Sequence, residues 1–224
     1  HDALPIFTLG KSSVGLYQSG GMGSVSSAGE IKVGDDNSIA LYANKGARLV
    51  NNSSNISVAG INSIIGYSKD SGTQLVNMGN LSVNEEAVAF YTSMGEVENF
   101  GELKSSGDGI IYFYSKGGKI TNNGDIVGDF HNYGVGIYGE SSRLENNGKI
   151  YLGNSQIVNE DDLSDEQNRY AVGIYGEKSG IRNNGEIIIG EKGIGIYAFQ
   201  QSGDIINGSS GKIISNSDNA IGIF

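Results

Sequence analysis

The sequence contains no cysteine, no tryptophan and a single proline among its 224 residues. Without cysteine, the chain has no disulfide scaffold, no thiolate metal ligands and no cysteine nucleophile. No apolar run approaches the roughly 20 residues that a membrane-spanning helix needs. Basic residues are also scarce, since 15 Lys and Arg face 25 Asp and Glu for a net charge of -10. This balance disfavours nucleic acid and anionic membranes as partners and allows Ca²⁺ or a basic protein surface.

Glycine, by contrast, is abundant: 36 residues exceed the usual share of roughly 7% of a chain. Glycine and asparagine tolerate left-handed turns better than other residues do, so turns are expected to recur often. Hydrophobic residues make up 38% of the sequence and form short clusters throughout. The chain can therefore bury a core, which argues against low-complexity disorder.

An internal repeat organises the whole chain, and its tyrosines mark it. Each repeat has a block such as Val135, Gly136, Ile137 and Tyr138. The aromatic position recurs at Tyr17, Tyr42, Tyr67, Tyr91, Tyr114, Tyr138, Tyr175, Tyr197 and Phe224. By subtraction, these positions are 22 to 27 residues apart, except for one interval of 37. A fixed period of this length indicates stacked structural units.

Each repeat carries two further apolar clusters. The first ends in an asparagine, which recurs at Asn51, Asn77, Asn99, Asn122, Asn146, Asn183 and Asn207. Such short clusters indicate short strands. Three short strands cannot bury their apolar side alone, so copies must stack, each strand pairing in parallel with its equivalent. The sequence predicts an all-β parallel β-helix, or β-solenoid, of about eight to nine rungs of roughly 24 residues with three short strands per rung.

Alternation with a period of two assigns side chains to the inside or the outside of such a rod. In the tyrosine strand it places Val88, Phe90, Ile111 and Phe113 inside and Gly195, Tyr91, Tyr112 and Tyr114 outside. In the next strand it places the asparagines inside, where the amides of successive rungs can bond one another. A glycine two residues later, such as Gly101, is expected to turn a corner with positive φ.

The repeats run to both ends of the chain, and residues 221–224 enter a further repeat. We therefore expect residues 1–224 to be a single β-solenoid segment, a fragment of a longer rod. The one long interval exceeds its neighbours because of residues 154–169, which we interpret as a loop insertion.

Two recurring blocks stand out in the aligned repeats. The first is Gly173, Ile174, Tyr175 and Gly176, and the second is residues 183–187, Asn-Asn-Gly-Glu-Ile. Together they resemble the passenger regions of large fusobacterial-type autotransporter adhesins, over essentially the whole chain. The resemblance implies a right-handed parallel β-helix that is exported across the outer membrane. It also implies display at the cell surface by a C-terminal barrel outside these residues, and a role in virulence.

Acidic residues collect at the corner between the third strand of one repeat and the tyrosine strand of the next. Within the insertion this corner contains Glu160, Asp161, Asp162, Asp165 and Glu166. One interpretation is a solvated edge that opposes aggregation; the other is a site for a basic partner. Carboxylates also suit Ca²⁺, but their spacing matches neither an EF-hand nor a nonapeptide loop. The insertion itself has two interpretations. It is a loop that recognises a partner, since binding residues often lie on loops held by a rigid scaffold, or it is a tolerated insertion without a role.

Aromatic residues supply a second candidate contact surface, formed by Tyr91, Tyr112, Tyr114, His131 and Tyr133. Outward tyrosines stack on sugar rings or form protein hot spots. Alternatively, a tyrosine column stacks only on itself and stiffens the sheet. His131 is the only internal histidine, and the sequence has no Gly-x-Ser-x-Gly or paired-histidine motif. We therefore expect no enzyme, no catalytic or metal-ligating residues and no cofactor, with Ca²⁺ as the one ion the carboxylates suit.

These features and the resemblance predict a monomeric rod at the cell surface, anchored at the outer membrane only through the C-terminal barrel. The rod is expected to attach the cell to a protein or glycan on host or partner bacterial cells, with no nucleic acid as partner. One alternative is a rigid stalk segment without a ligand of its own. The other is a secreted β-helix carbohydrate-active enzyme.

Overall fold

The computed structural model describes residues 5–8, 10–34, 36–60, 62–85, 87–128, 133–159, 166–200, 203–215 and 217–224. Every regular element in these ranges is a β-strand. Each apolar cluster of the repeat forms one strand, and the residues between clusters, rich in Gly, Asn and Ser, form the turns. The strands are short because the chain must turn a corner after each cluster.

The strands follow one another in groups of three, one group per rung. The first half of the chain contains β1 (Ile6–Thr8), β2 (Val14–Ser19), β3 (Met22–Val25), β4 (Glu30–Val33), β5 (Ile39–Asn44), β6 (Arg48–Asn51), β7 (Asn55–Val58), β8 (Ile64–Lys69), β9 (Gln74–Asn77), β10 (Leu81–Ser82), β11 (Val88–Ser93), β12 (Glu96–Asn99) and β13 (Leu103–Lys104). The second half contains β14 (Ile110–Lys116), β15 (Lys119–Asn122), β16 (Asp125–Val127), β17 (Gly134–Glu140), β18 (Arg143–Asn146), β19 (Lys149–Tyr151), β20 (Val172–Glu177), β21 (Gly180–Asn183), β22 (Glu186–Ile189), β23 (Ile194–Phe199), β24 (Ile205–Asn207), β25 (Lys212–Ser215) and β26 (Ile221–Ile223).

Equivalent strands of successive rungs pair in parallel. The first sheet has nine strands in the order β2-β5-β8-β11-β14-β17-β20-β23-β26, and the second has eight in the order β3-β6-β9-β12-β15-β18-β21-β24. The third strands form two sheets, β1-β4-β7 and β10-β13-β16-β19-β22-β25. The register aligns equivalent residues, for example Tyr114 with Tyr138 and Asn122 with Asn146. The predicted β-solenoid is confirmed, with about 8 turns of roughly 24 residues.

The interior of the rod is filled by columns of aliphatic side chains with a short aromatic section. Ile120, Ile126 and Leu144 are completely buried. Phe90 and Phe113 stack in the core with ring centroids 5.7 Å apart. Because each rung buries its apolar side only against its neighbours, the core is continuous along the rod rather than closed within one repeat.

An asparagine ladder runs through this core along the second sheet. In each rung the amide nitrogen donates to the amide oxygen of the next, at 2.8–2.9 Å, through Asn51, Asn77, Asn99, Asn122, Asn146, Asn183 and Asn207. The same nitrogen of Asn99 also donates to the Gly101 carbonyl at 2.8 Å. The predicted inward ladder is confirmed, and it satisfies polar groups that would otherwise be buried without partners.

The glycines that follow the ladder are required for a different reason from the one predicted. Gly101 is not among the residues with positive φ, so the expectation of a left-handed corner there is wrong. A Cβ at Gly101 would instead lie 2.0 Å from the carbonyl oxygen of Gly79 in the rung below. Close approach of two backbones therefore excludes a side chain at this corner.

Strict alternation breaks in the middle of the first-sheet strands. The register pairs Val88 with Ile111 and Phe90 with Phe113, and it skips the residues between them. Two consecutive residues, Tyr112 and Phe113, face the core with 1% and 0% of their surfaces exposed. Val88 and Ile111 are half-buried on the outer side. The inward assignment of Val88 and Ile111 and the outward assignment of Tyr112 are therefore wrong.

Gly195 occupies the same inward position as Tyr112, although alternation placed it outside. A Cβ at Gly195 would lie 2.5 Å from Cγ2 of Ile213 and 2.5 Å from the Gly222 carbonyl oxygen. Small residues at this column leave room for the aliphatic side chains of the third strands, which pack across the interior.

Candidate functional site

The outer side of the first sheet carries the tyrosine column, which we call the tyrosine face. Its rings run from Tyr17 to Phe224 with successive centroids 4.7–5.2 Å apart. Tyr91 and Tyr114 lie on this face, half-buried and 5.1 Å apart, so their predicted outward orientation is confirmed. The hydroxyl of Tyr114 donates a hydrogen bond to Glu140 Oε1 at 2.5 Å.

Ring stacking limits what the tyrosine face can bind. Tyr175 packs between Tyr138 and Tyr197 with interplanar angles of 4° and 10°, so both of its flat sides are covered by neighbours. Stacking on a sugar ring requires an open aromatic face, which such a sandwich does not offer. At Tyr175 this geometry favours the interpretation that the column stiffens the sheet. The candidates Tyr91 and Tyr114 are not sandwiched in this way, since their rings meet the neighbouring rings at 33–86°.

The partial burial of these rings also affects their ionisation. Burial raises the pKa of Tyr138 to about 12, with neighbouring Tyr175 and Glu140 adding to the effect. Burial likewise raises the pKa of Tyr114, where the hydrogen bond to Glu140 acts in the same direction. Both hydroxyls are therefore protonated at neutral pH, and that of Tyr114 donates its one proton to Glu140.

The remaining aromatic candidates divide into three cases. Tyr112 is buried in the core and cannot touch a partner, so its candidacy as a binding residue is a wrong prediction. Tyr133 is half-exposed just before β17, and its carbonyl accepts a hydrogen bond from the Gly109 amide at 3.0 Å. His131 lies outside the described residues, and its candidacy stays a prediction.

The insertion leaves the rod between β19 and β20. Of its acidic candidates, Glu166 is exposed, whereas Glu160, Asp161, Asp162 and Asp165 lie outside the described residues. At its base, Gln156 and Arg169 exchange two backbone hydrogen bonds of 2.7 and 2.8 Å as an antiparallel bridge. The two ends of the insertion are therefore held side by side, as at the base of a hairpin.

Polar side chains fasten this base to the rod. Asn154 Oδ1 accepts a hydrogen bond from the Glu191 amide at 2.7 Å, and Ser155 Oγ donates to the Lys192 carbonyl at 2.8 Å. Within the insertion, Asn168 Oδ1 accepts from the Val158 amide at 2.8 Å. Residues 154 and 155 thus belong to the rung, and the insertion itself begins after Gln156.

The acidic corner provides no metal cage in the part of the chain that the structure describes. No group of three or more His, Asp or Glu side chains there is arranged to hold an ion. At the N-terminal part of this corner, Asp36 forms an ion pair with Lys11 at 3.1 Å. That the carboxylates of the insertion suit Ca²⁺ stays an expectation from the sequence, because four of the five lie outside the described residues.

A groove on the outer side of the second sheet was not predicted from the sequence. It has a volume of about 830 Å³, and we call it the cationic groove because Lys119, Arg143, Lys178 and Arg182 line it, together with Glu96, Glu145 and Asp204. Aligning the repeats would have revealed one sign of the groove. Lys119 and Arg143 precede Gly180 in one column, so two cations are followed there by a residue without a side chain. The hollow at that column exists only once the rungs are stacked.

Within the described ranges, the structure contains no helix long and apolar enough to cross a membrane.

Searches of curated proteins and of solved structures found no match to the chain. A family model described as the BigA third pectate lyase-like domain matches residues 14–222. BigA is an autotransporter-type adhesin, which supports the predicted resemblance, while the fusobacterial type stays a prediction. The chain thus belongs to the family of the BigA third pectate lyase-like domain.

Proposed function

We propose that this chain is part of the passenger of an autotransporter adhesin, displayed at the cell surface, that attaches the cell to host or partner bacterial cells. The observation that carries the proposal is the family match over residues 14–222, because BigA is itself an autotransporter-type adhesin. The proposed activity is binding to a surface protein or glycan, without an enzymatic reaction or an organic cofactor.

The architecture supports this proposal through its rigidity. Eight successive rungs are joined by parallel hydrogen bonds and a tyrosine column, and an asparagine ladder runs through seven of them. At about 4.8 Å per rung, such a rod is on the order of 40 Å long. It can hold the insertion and the cationic groove at fixed positions away from the cell.

The insertion is the first recognition element to test, since it can vary without disturbing the rungs. The Gln156–Arg169 pair has the geometry that closes a two-residue hairpin, so residues 157–168 can be replaced by Asn-Gly, which favours a type I′ turn. Attachment of the immobilised chain to host cells and partner bacteria, with and without Ca²⁺, is then compared between the parent and this variant.

The outcomes separate the functions considered. Attachment by the parent chain supports an adhesin, and its loss in the variant assigns recognition to the insertion. Equal attachment by both assigns recognition to another surface of the rod. Absence of attachment by either favours a stalk, and release of sugar from acidic polysaccharides would favour a carbohydrate-active enzyme.

The proposed location is tested separately on the natural host cell. Antibodies raised against this chain should label intact cells, and protease added to those cells should remove the label. Labelling only after the cells are broken open would contradict surface display.

A further inference from the structure

One glycine, Gly180, leaves part of the cationic groove open. Lys119, Arg143 and Gly180 occupy equivalent positions in three consecutive rungs of the second sheet. A Cβ added at Gly180 would meet no atom of the described residues within 4 Å. The space above Arg143 is therefore open, and the groove's volume of about 830 Å³ falls in the range of roughly 300–1,000 Å³ typical of small-ligand sites.

Three of the cations that border this space, Lys119, Arg143 and Arg182, form no ion pair among the residues that the structure describes. The fourth cation of the groove, Lys178, pairs with Glu177 at 3.7 Å. Both arginines are exposed, so an external group can reach them. A guanidinium binds a carboxylate through two parallel N–H···O bonds, which makes it the preferred side chain for such a group.

The acidic residues of the groove restrict the kind of anion that fits. Glu96, Glu145 and Asp204 lie among the four cations of the groove. Four cations minus three carboxylates give the lining a formal charge of only +1. The chain as a whole has a net charge of -10. A polyuronate, a sulfated glycan or an acidic peptide would bring several charges against these carboxylates and the rest of the chain.

A ligand with one carboxylate and several hydroxyls avoids this repulsion. Its carboxylate accepts hydrogen bonds from the arginines, and its hydroxyls donate to the carboxylates of the groove. Sugars that carry a single carboxylate at the end of a neutral glycan have this combination of groups.

We propose that the cationic groove binds the carboxylate of a terminal acidic sugar, of the sialic acid class, on a cell-surface glycan. Arg143 and Arg182 hold the carboxylate, Gly180 leaves room for the sugar ring, and Glu145 and Asp204 accept hydrogen bonds from its hydroxyls. The inference rests on the proposed adhesin function and names the class of glycan recognised.

Two groove variants and one matched control test the site. The double variant Arg143→Gln, Arg182→Gln removes the charges, and Gly180→Gln fills the hollow without changing charge. Glutamine is compatible with this column, since Gln74 occupies it in another rung. The control Arg48→Gln removes an exposed arginine from the same column four rungs away. Circular dichroism verifies that each variant of the full chain keeps its β-structure.

Binding of 3′-sialyllactose, lactose and oligogalacturonate to the full chain is measured by titration calorimetry. We expect binding of sialyllactose and none of lactose. The double variant should weaken binding by about tenfold or more, because it removes charge-assisted contacts. Gly180→Gln should weaken binding by a similar factor, because its side chain occupies the space of the sugar ring. Arg48→Gln should bind as the parent does. Equal binding of lactose, stronger binding of oligogalacturonate, or unchanged binding by folded groove variants would overturn the proposal.

The parallel cell-attachment measurement distinguishes this inference from the function on which it rests. Attachment of the parent chain without binding of sialyllactose overturns the inference and leaves the adhesin function intact. Absence of attachment to any cell overturns the adhesin function. Attachment that falls after sialidase treatment of the target cells supports both.

Discussion

The rings of Tyr138 and Tyr175 lie 4.7 Å apart and 4° from parallel, although 37 residues separate them, the longest interval of the repeat. Across the same interval, Asn146 Nδ2 donates to Asn183 Oδ1 at 2.9 Å. The tyrosine column on the outside and the asparagine ladder on the inside therefore both continue across the insertion without interruption. The described ends of the insertion, Gln156 and Arg169, lie side by side at one corner of the rod.

Because the rungs do not depend on the insertion, its removal should leave the rod folded. Replacing residues 157–168 by Asn-Gly should change the free energy of unfolding by less than about 2 kcal/mol, since loop length has a weak effect on closure entropy. Urea unfolding followed by tyrosine fluorescence measures this change. A collapse of the β-sheet circular dichroism would show instead that the insertion holds the two halves together.

The asparagine ladder should make a large contribution to stability at its centre. Asn99→Ala removes hydrogen bonds of 2.8 Å from Asn77 and 2.9 Å to Asn122, and it leaves buried polar atoms without partners. We expect a loss of about 2–4 kcal/mol in the free energy of unfolding, measured by urea denaturation.

Asn123→Ala is the matched control, because Asn123 neighbours the ladder but lies partly exposed, bonded to Glu98 and Asn147. Water can replace those bonds, so the expected loss is below about 1 kcal/mol. Equal losses for Asn99→Ala and Asn123→Ala would contradict a special role for the buried ladder.

The close approach of successive corners predicts a steric effect at Gly101. Gly101→Ala would place a Cβ 2.0 Å from the Gly79 carbonyl oxygen, and the backbone must shift to relieve it. We expect destabilisation of about 2–3 kcal/mol. Gly180→Ala, where the added Cβ meets no atom of the described residues within 4 Å, should be neutral or slightly stabilising. Thermal unfolding of the two variants compares them, and a tolerated Gly101→Ala would refute the steric explanation.

The tyrosine face should make the rod sensitive to alkali. Burial raises the pKa of Tyr138 from 10.0 to about 12, so the folded chain holds this proton more tightly than the unfolded chain does. The resulting stabilisation is present in full below about pH 10 and is lost as the pH rises toward 12. Tyr138→Phe should reduce the slope of stability against pH in this range, as measured by urea unfolding.

Tyr17 provides the contrast within the same column. Hydrogen bonds from Ser19 and Asn44 lower its pKa, so it should ionise before Tyr138 in an absorbance titration of tyrosinate. A single shared titration of all the tyrosines would contradict the separate environments of these two rings.

Several features were predictable because they repeat. The strand order, the parallel pairing and the inward asparagines follow from columns that recur every rung, and Ile120 and Asn122 are both buried as expected. The insertion was likewise visible as one long interval. The burial of Tyr112 could not be predicted from the repeats. Alternation assumes a regular strand, and it breaks where the consecutive residues Tyr112 and Phe113 both face the core.

By itself, the sequence determined that this chain stacks into a β-solenoid, since three short apolar clusters per repeat can be buried only against copies of themselves. The tertiary structure decided what the stacked surfaces contain. It moved Tyr112 from the surface to the core and explained Gly101 by backbone contact. It also brought Arg143 and Arg182 to the edge of a hollow at Gly180. These features depend on distances between neighbouring rungs, which exist only after the chain has folded.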